Sequence, residues 1–271
     1  MTLPETKTLL LKLGKGVLHL TLNRAESRNA MTPEMLADIE AVFKAIAPER
    51  SIRAVVLRGA GGHFCAGADL KNMFASAVQP IAAGEADPIV AINRSFGTML
   101  RTVANAPQVV IAVCEGAVLG GGFGLACVSD IAFAHADAKF GMPETTRGLP
   151  PAQIAPFVVE RIGLTQARRL ALTGAQFRGA EALRLGLVHE VFASEDELQE
   201  KLAATLKQVL MCAPNANAVT KGILLNVGKL AMDEVLDDAA AKFAACARGT
   251  EAPEGITAFM QKRSPKWATP E

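Results

Sequence analysis

The sequence predicts an α/β fold, and three observations carry that prediction. Two apolar runs, Arg53-Ala-Val-Val-Leu-Arg58 and Val109-Val-Ile-Ala-Val113, read as buried strands, and a turn of small residues follows each. Between them residues 89–104 carry a helical stripe of Ile89, Ile92, Phe96, Met99, Leu100 and Val103. From Gln153 onward the pattern turns helical, as far as residue 262. Strands alternating with helices argue for a core of parallel strands.

The elements follow in order. Residues 8–13 and 17–22 read as two strands joined by Gly14-Lys15-Gly16. A polar loop, 23–29, leads to a helix opened by Thr32 as N-cap and Pro33 in the first turn, with Met35, Ile39, Val42, Phe43 and Ile46 on its apolar face. The strand at 53–58 ends at Gly59-Ala60-Gly61-Gly62, and the turn Phe64-Cys-Ala-Gly-Ala-Asp-Leu70 comes next. Residues 75–88, rich in Ala, Gly and Pro and without a period, read as a mobile connection. Pro107 stops the second helix before the strand at 109–114. Gly120-Gly121-Gly122 then opens a short apolar helix, and Asp130-Ile-Ala-Phe-Ala134 makes another strand. The later helices are expected at 153–162, 165–172, 179–186, 195–211, 214–228, 232–248 and 253–262, with Gly174, Gly186 and Gly249 as C-caps.

Composition narrows the function classes. The 271 residues suffice for one large domain, or one domain with an appendage, and half of them are hydrophobic. With 28 Lys plus Arg against 27 Asp plus Glu, the net charge of +1 does not suit a polyanion binder. One Trp and no Tyr leave no aromatic platform for nucleic acid. Five cysteines without a C-x-x-C pair, and four scattered histidines, argue against a metal cluster or disulfide framework and for a reducing compartment. The N-terminus lacks a signal-peptide layout and no apolar run reaches 18 residues, so a cytoplasmic protein without a membrane span is expected.

The chemistry is expected at the two small-residue turns. Glycines at a helix mouth leave backbone N–H groups open to an approaching oxygen, and such donors suit a developing oxyanion. One donor from each turn on a single carbonyl oxygen describes acyl transfer or enolate chemistry. No G-x-x-x-x-G-K-[ST], no G-x-G-x-x-G with a placed acid and no G-x-S-x-G occurs, which disfavours nucleotide cradles and serine hydrolases.

Three motifs together, Ala66-Gly-Ala-Asp-Leu-Lys71, Gly120-Gly-Gly122 with Cys127-Val-Ser-Asp130-Ile, and Phe140-Gly-Met-Pro-Glu144, resemble the crotonase (enoyl-CoA hydratase/isomerase) superfamily, from Leu22 to Arg263. The resemblance implies a spiral of ββα units over residues 1–200 and a C-terminal helical region over 201–271 that builds homotrimers or a dimer of trimers. It places the oxyanion amides at Ala68 and Gly121 and a catalytic acid/base at Glu144. Ala66, Gly67, Asp69 and Gly120 surround the thioester. Coenzyme A, part of the acyl-CoA substrate and not a separate cofactor, is expected near Lys71 and the loop from Arg24 to Arg28. Phe259 and Lys262 are expected to reach a neighbouring subunit's bound CoA. No metal is implied.

In the two-carboxylate hydratases of that family a second glutamate stands where this chain has Gly124. The single-glutamate pattern is compatible with hydration, with moving a proton between Cα and Cγ, or with a non-catalytic acyl-CoA-binding member. Dehalogenation wants a carboxylate about where Ala152 stands. Residues 141–159 and 212–218 are similar to the branch that hydrates isohexenylglutaconyl-CoA in acyclic terpene breakdown, itself like the methylglutaconyl-CoA hydratases. That similarity implies a branched glutaconyl thioester whose free carboxylate needs a partner, with Arg147, Lys71, Arg94 and Gln153 as candidates. Residues 75–103 form either a tunnel for an apolar tail or ordinary core.

Overall fold

The computed structural model describes residues 2–69, 81 and 84–268; Lys71 and most of the expected connection at 75–88 lie outside the described residues. Two strands, β1 (Leu9–Gly14) and β2 (Val17–Leu22), form an antiparallel hairpin across Lys15 and Gly16, both at positive φ. Helix α1 (Pro33–Ile46) begins where the Thr32 hydroxyl accepts from Met35 N at 3.2 Å. Strand β3 (Ala54–Gly59) follows, and α2 (Pro88–Ala104) starts at an Asp87 cap that accepts from Ile89 N at 2.9 Å. Then come β4 (Val109–Cys114), β5 (Ala117–Leu119), α3 (Gly121–Cys127), β6 (Ile131–His135) and β7 (Lys139–Gly141). The later part runs α4 (Ala155–Thr173), β8 (Gln176–Phe177), α5 (Gly179–Arg184), β9 (Glu190–Phe192) and α6 (Glu195–Met211). Three helices close the chain: α7 (Pro214–Asn226), α8 (Met232–Arg248) and α9 (Glu251–Met260).

The main sheet has the order β1-β2-β3-β4-β6-β9, parallel throughout except for the β1–β2 hairpin. Alternate residues of β3 go to opposite faces, so Val55 and Leu57 join the core under α1 and α2 while Ala54 and Val56 pack toward α6 with Leu198, Leu202 and Val209. Covering both faces explains why the strand reads as a continuous apolar run rather than an alternating one. A smaller sheet, β5-β7-β8, is extended by single bridges from Cys65 to Val118 and from Ala68 to Met31.

The α/β class and the parallel core are as the sequence predicts, followed by a helical C-terminal region. Some details differ. The helices expected at 153–162 and 165–172 are one element bent at Gly163 (φ 76°, ψ 156°). Gly174 ends it in the left-handed region; Gly249 caps its helix as expected, but in extended backbone (φ −76°, ψ −175°). Strands β5, β7, β8 and β9 have two or three residues each, too few to show a period.

The C-terminal layer is tied to the sheet by polar groups. Lys221 Nζ donates to Asp130 Oδ2 at 2.7 Å, and the same oxygen accepts from Val110 N at 2.7 Å. The buried Arg53 guanidinium donates to the carbonyls of Trp267 (3.0 Å) and Cys212. Trp267 in turn donates its indole N–H to Met211 O at 3.0 Å. Leu224, Leu236, Phe243 and Phe259 of this layer remain exposed. Among the described residues no helix is long and apolar enough to cross a membrane, and no group of three or more His, Cys, Asp or Glu is placed to hold a metal ion.

Candidate active site

The smaller sheet sets the two glycine turns side by side. The segment at 65–68 lies between Met31 on one side and β5 on the other. Met31 N donates to Gly67 O at 2.8 Å, and Asp69 N donates to Met31 O at 2.9 Å. A trans peptide aims its C=O and N–H in opposite directions, and no peptide among the described residues is cis. The Ala68 amide is therefore turned away from Met31, to the side where β5 and α3 lie. On that side Cys65 is paired with β5, donating to Ala117 O (2.9 Å) and accepting from Leu119 N (3.0 Å).

The second turn is oriented by the same logic. Gly124 N donates to Gly120 O at 3.0 Å, so the Gly121 amide of the trans peptide points outward from the mouth of α3. Gly120 has φ 50°, a conformation that favours glycine. A Cβ placed on Gly67 would stand 3.1 Å from Leu119 O and 3.7 Å from Gly121 N, which fixes how close the two turns come. Glycine is required there by contact as well as by its φ of 103°.

Glu144 completes the cluster. It sits in a 3-10 turn, Pro143–Arg147, which directly follows β7 and so is carried by the same small sheet. A Cβ on Gly120 would be 2.7 Å from its Oε1. Its Oε2 is buried without a hydrogen-bond partner among the described residues. Burial pushes its pKa up, more than its own backbone amide and nearby Arg147 pull it down. An unpartnered buried carboxylate oxygen is costly in a finished core, and with a raised pKa it marks Glu144 as a candidate functional group.

The walls beside this cluster are apolar. A Cβ on Gly121 would lie 2.7 Å from Phe96 Cζ and 3.6 Å from Met31 Sδ. At Gly124 it would overlap Ile154 Cγ2 and sit 3.4 Å from Leu100 Cδ1. The space a second glutamate would occupy is thus filled by core.

The expected coenzyme A residues divide. Arg24 pairs with Asp69 at 3.2 Å and also donates to Ala30 O, so both side chains hold the 66–69 turn against the preceding loop. Buried Asn29 fastens that loop, accepting from Arg24 N (2.9 Å) and donating to Ala60 O (2.9 Å) and His63 O (2.6 Å). Arg28 is exposed, and its carbonyl accepts from Ala66 N at 3.0 Å. Phe259, 84% exposed, and Lys262 face outward from the end of α9. Ala66, Gly67, Ala68, Asp69, Gly120, Gly121 and Glu144 are brought together; Phe259 and Lys262 are not placed with them within the one chain, and Lys71 lies outside the described residues.

Phe96, Ile154, Asn29 and Cys65 are not singled out by the sequence as site residues, although Cys65 lies in the expected turn and Phe96 in the stretch read as tunnel or core. Phe96 reads in sequence only as part of an apolar stripe. Cys65 Sγ accepts from Gly67 N at 3.4 Å, a side chain-to-backbone turn that a lone cysteine does not announce.

Comparison with known proteins follows the same lines. The sequence pattern of the family described as enoyl-CoA hydratase/isomerase matches residues 12–270. The solved structure of AtuE from Pseudomonas aeruginosa superposes with a TM-score of 0.92 at 56% identity, over 97% of this chain and 100% of that one. A 2,3-dehydroadipyl-CoA hydratase of Escherichia coli is 31% identical over 92% of this chain and 94% of its own length. A peroxisomal Delta(3,5)-Delta(2,4)-dienoyl-CoA isomerase of Arabidopsis thaliana is 28% identical over 99% of both chains.

Proposed function

The chain belongs to the enoyl-CoA hydratase/isomerase family, and on that premise we propose that it adds water across the α,β double bond of a branched, glutaconyl-type enoyl-CoA. The observation that carries this reading is the Glu144 carboxylate, with Oε2 buried and unpartnered and Oε1 against Gly120, beside the turns that hold the Ala68 and Gly121 amides. In the proposed reaction the thioester oxygen accepts from the amides of Ala68 and Gly121. Glu144 takes a proton from water as the water oxygen bonds to Cβ, and the π electrons move onto the thioester as an enolate. The two amides carry that charge; removing one such donor typically costs about 2.7–4 kcal/mol of transition-state stabilisation. Glu144 then returns the proton to Cα, and the enolate collapses to the saturated 3-hydroxyacyl thioester.

Two lines support a carboxylated acyl group. Residues 141–159 and 212–218 are similar to the isohexenylglutaconyl-CoA hydratase branch, and one relative acts by name on dehydroadipyl-CoA, whose acyl chain ends in a carboxylate. For coenzyme A we assign Arg28 and Lys71, with Arg24 and Asp69 bracing the turn. The exposed apolar residues of α7–α9 are assigned to contacts within a trimer, or dimer of trimers, which would bring Phe259 and Lys262 to a neighbour's nucleotide.

One observation favours a second reading. Because Ile154 fills the space at Gly124, a single carboxylate must do all proton transfer, and one carboxylate suffices to move a proton between Cα and Cγ. The two separate by absorbance. A hydratase bleaches the conjugated thioester of 3-methylglutaconyl-CoA in water, whereas an isomerase generates that band from a 3-enoyl-CoA. If the purified protein binds these thioesters and changes neither, both readings fall and the chain is a binding protein.

A further inference from the structure

On α2, at the residue after Phe96, the apolar wall gives way to polar groups. Phe96 stands against Gly121, and its neighbour Gly97 is buried beneath two polar side chains. A Cβ on Gly97 would overlap Gln153 Oε1 and lie 3.2 Å from Arg94 Nη1, so both groups converge on the spot that glycine leaves free. Gln153 Nε2 donates to Asn93 Oδ1 at 2.8 Å, and Arg94 Nη1 donates to Thr98 Oγ1 at 2.9 Å. The same turn that delivers Gln153 also delivers Ile154 onto Gly124 and Leu100. The cluster therefore adjoins the acyl wall on both of its elements.

We propose that Arg94, Asn93 and Gln153 are the receptor for a carboxylate at the far end of the acyl chain. The assignment rests on the reading that Ala68, Gly121 and Glu144 mark the reacting end. The chemistry matches: guanidinium offers paired N–H donors to a planar carboxylate, and the Asn93 amide N–H₂ adds a neutral donor while its oxygen is held by Gln153. Of the cations near this wall, Arg147 is on the 3-10 turn of Glu144 and lowers that group's pKa, a place suited to the reacting end. Arg94 stands on α2 two residues before Phe96, exposed, with Nη1 turned to Gly97. It is tied to the reacting end through Phe96 on Gly121 and through Ile154 on Gly124, which places the receptor along the wall and away from Glu144.

Binding of two saturated, unreactive thioesters tests this without catalysis. Glutaryl-CoA and pentanoyl-CoA have the same chain length and differ in the terminal carboxylate. Calorimetry should show glutaryl-CoA binding about tenfold tighter to the wild type, as one charge-assisted contact allows. Arg94→Ala should abolish that preference and Gln153→Leu reduce it. Gly97→Ala, which deletes no polar group, should also erode it by displacing both side chains. A wild type without the preference, or an Arg94→Ala variant that keeps it, overturns the proposal. If the preference holds while Glu144→Gln keeps full turnover, the receptor stands and the catalytic reading falls.

Discussion

Gly120 and Glu144 compete for one space: a β-carbon on the glycine would lie 2.7 Å from Oε1 of the acid. The carboxylate thus lies close against the backbone at the mouth of α3, which makes residue 120 part of the proposed catalytic geometry. Gly120→Ala is expected to fail twice, since its φ of 50° disfavours a side chain and the added methyl displaces Glu144. Turnover should fall by at least about tenfold, measured alongside circular dichroism to show that the fold persists.

Removing the acid separates activity from stability. A general base commonly contributes about 10²–10⁴-fold, so Glu144→Gln should lower kcat/KM by that range. It should also melt higher than the wild type at neutral pH, because the amide escapes the cost of burying an unpartnered charge. Calorimetric melts of both proteins check this.

The pH dependence follows from the same raised pKa. Hydration needs the ionised form, so the acid limb of the kcat/KM profile should lie above the ordinary glutamate range. Stability runs the other way. Between the unfolded and the folded pKa the native state binds more protons, so the stabilisation is full below that window and is lost as pH rises through it. Wild type and Glu144→Gln should melt alike in acid and part company toward neutrality.

Gly124→Glu is expected not to restore a second carboxylate. Its side chain meets Ile154 and Leu100, and overpacking of this kind costs about 1–3 kcal/mol. Adding Ile154→Ala should recover part of that loss. Urea unfolding of the singles and the double gives the coupling, which should be favourable.

Cys65 predicts a split between alanine and serine. Burial pushes its thiol to about 12, so it stays protonated while Sγ accepts the Gly67 amide. Cys65→Ala should slow kcat about fivefold, equivalent to one ordinary hydrogen bond, with KM little changed. Cys65→Ser, which rebuilds the turn with oxygen, should stay near the wild-type rate.

Lys221→Met strands Asp130 with Val110 N as its remaining partner here. A loss of about 2 kcal/mol is expected in denaturant unfolding, from a hydrogen bond between charged groups that is mostly buried.

Long-period features were legible in the sequence, and short ones were not. The apolar runs of β3 and β4 and the stripes of α1, α2 and α6 mark themselves over many residues. Strand β8 is Gln176 and Phe177 alone, and its place is set by Phe140 and Gly141 across the sheet. The site divides in the same way. The turns at 66–69 and 120–122 announce backbone access through their glycines, and Glu144 was reached through its motif. Phe96, Ile154 and Asn93 matter because distant segments meet, and no local pattern encodes that meeting. Asn29 is the sharpest case: an asparagine in a polar loop becomes, once buried, the pin that joins the loop to residues 60–63.

Trp267 is the chain's sole indole, no tyrosine accompanies it, and it is hydrogen-bonded to Met211 at the foot of the C-terminal helices. Indole emission therefore comes from a single address, beside Arg53 and Met211. A colour shift in denaturant would report the loosening of that layer alone.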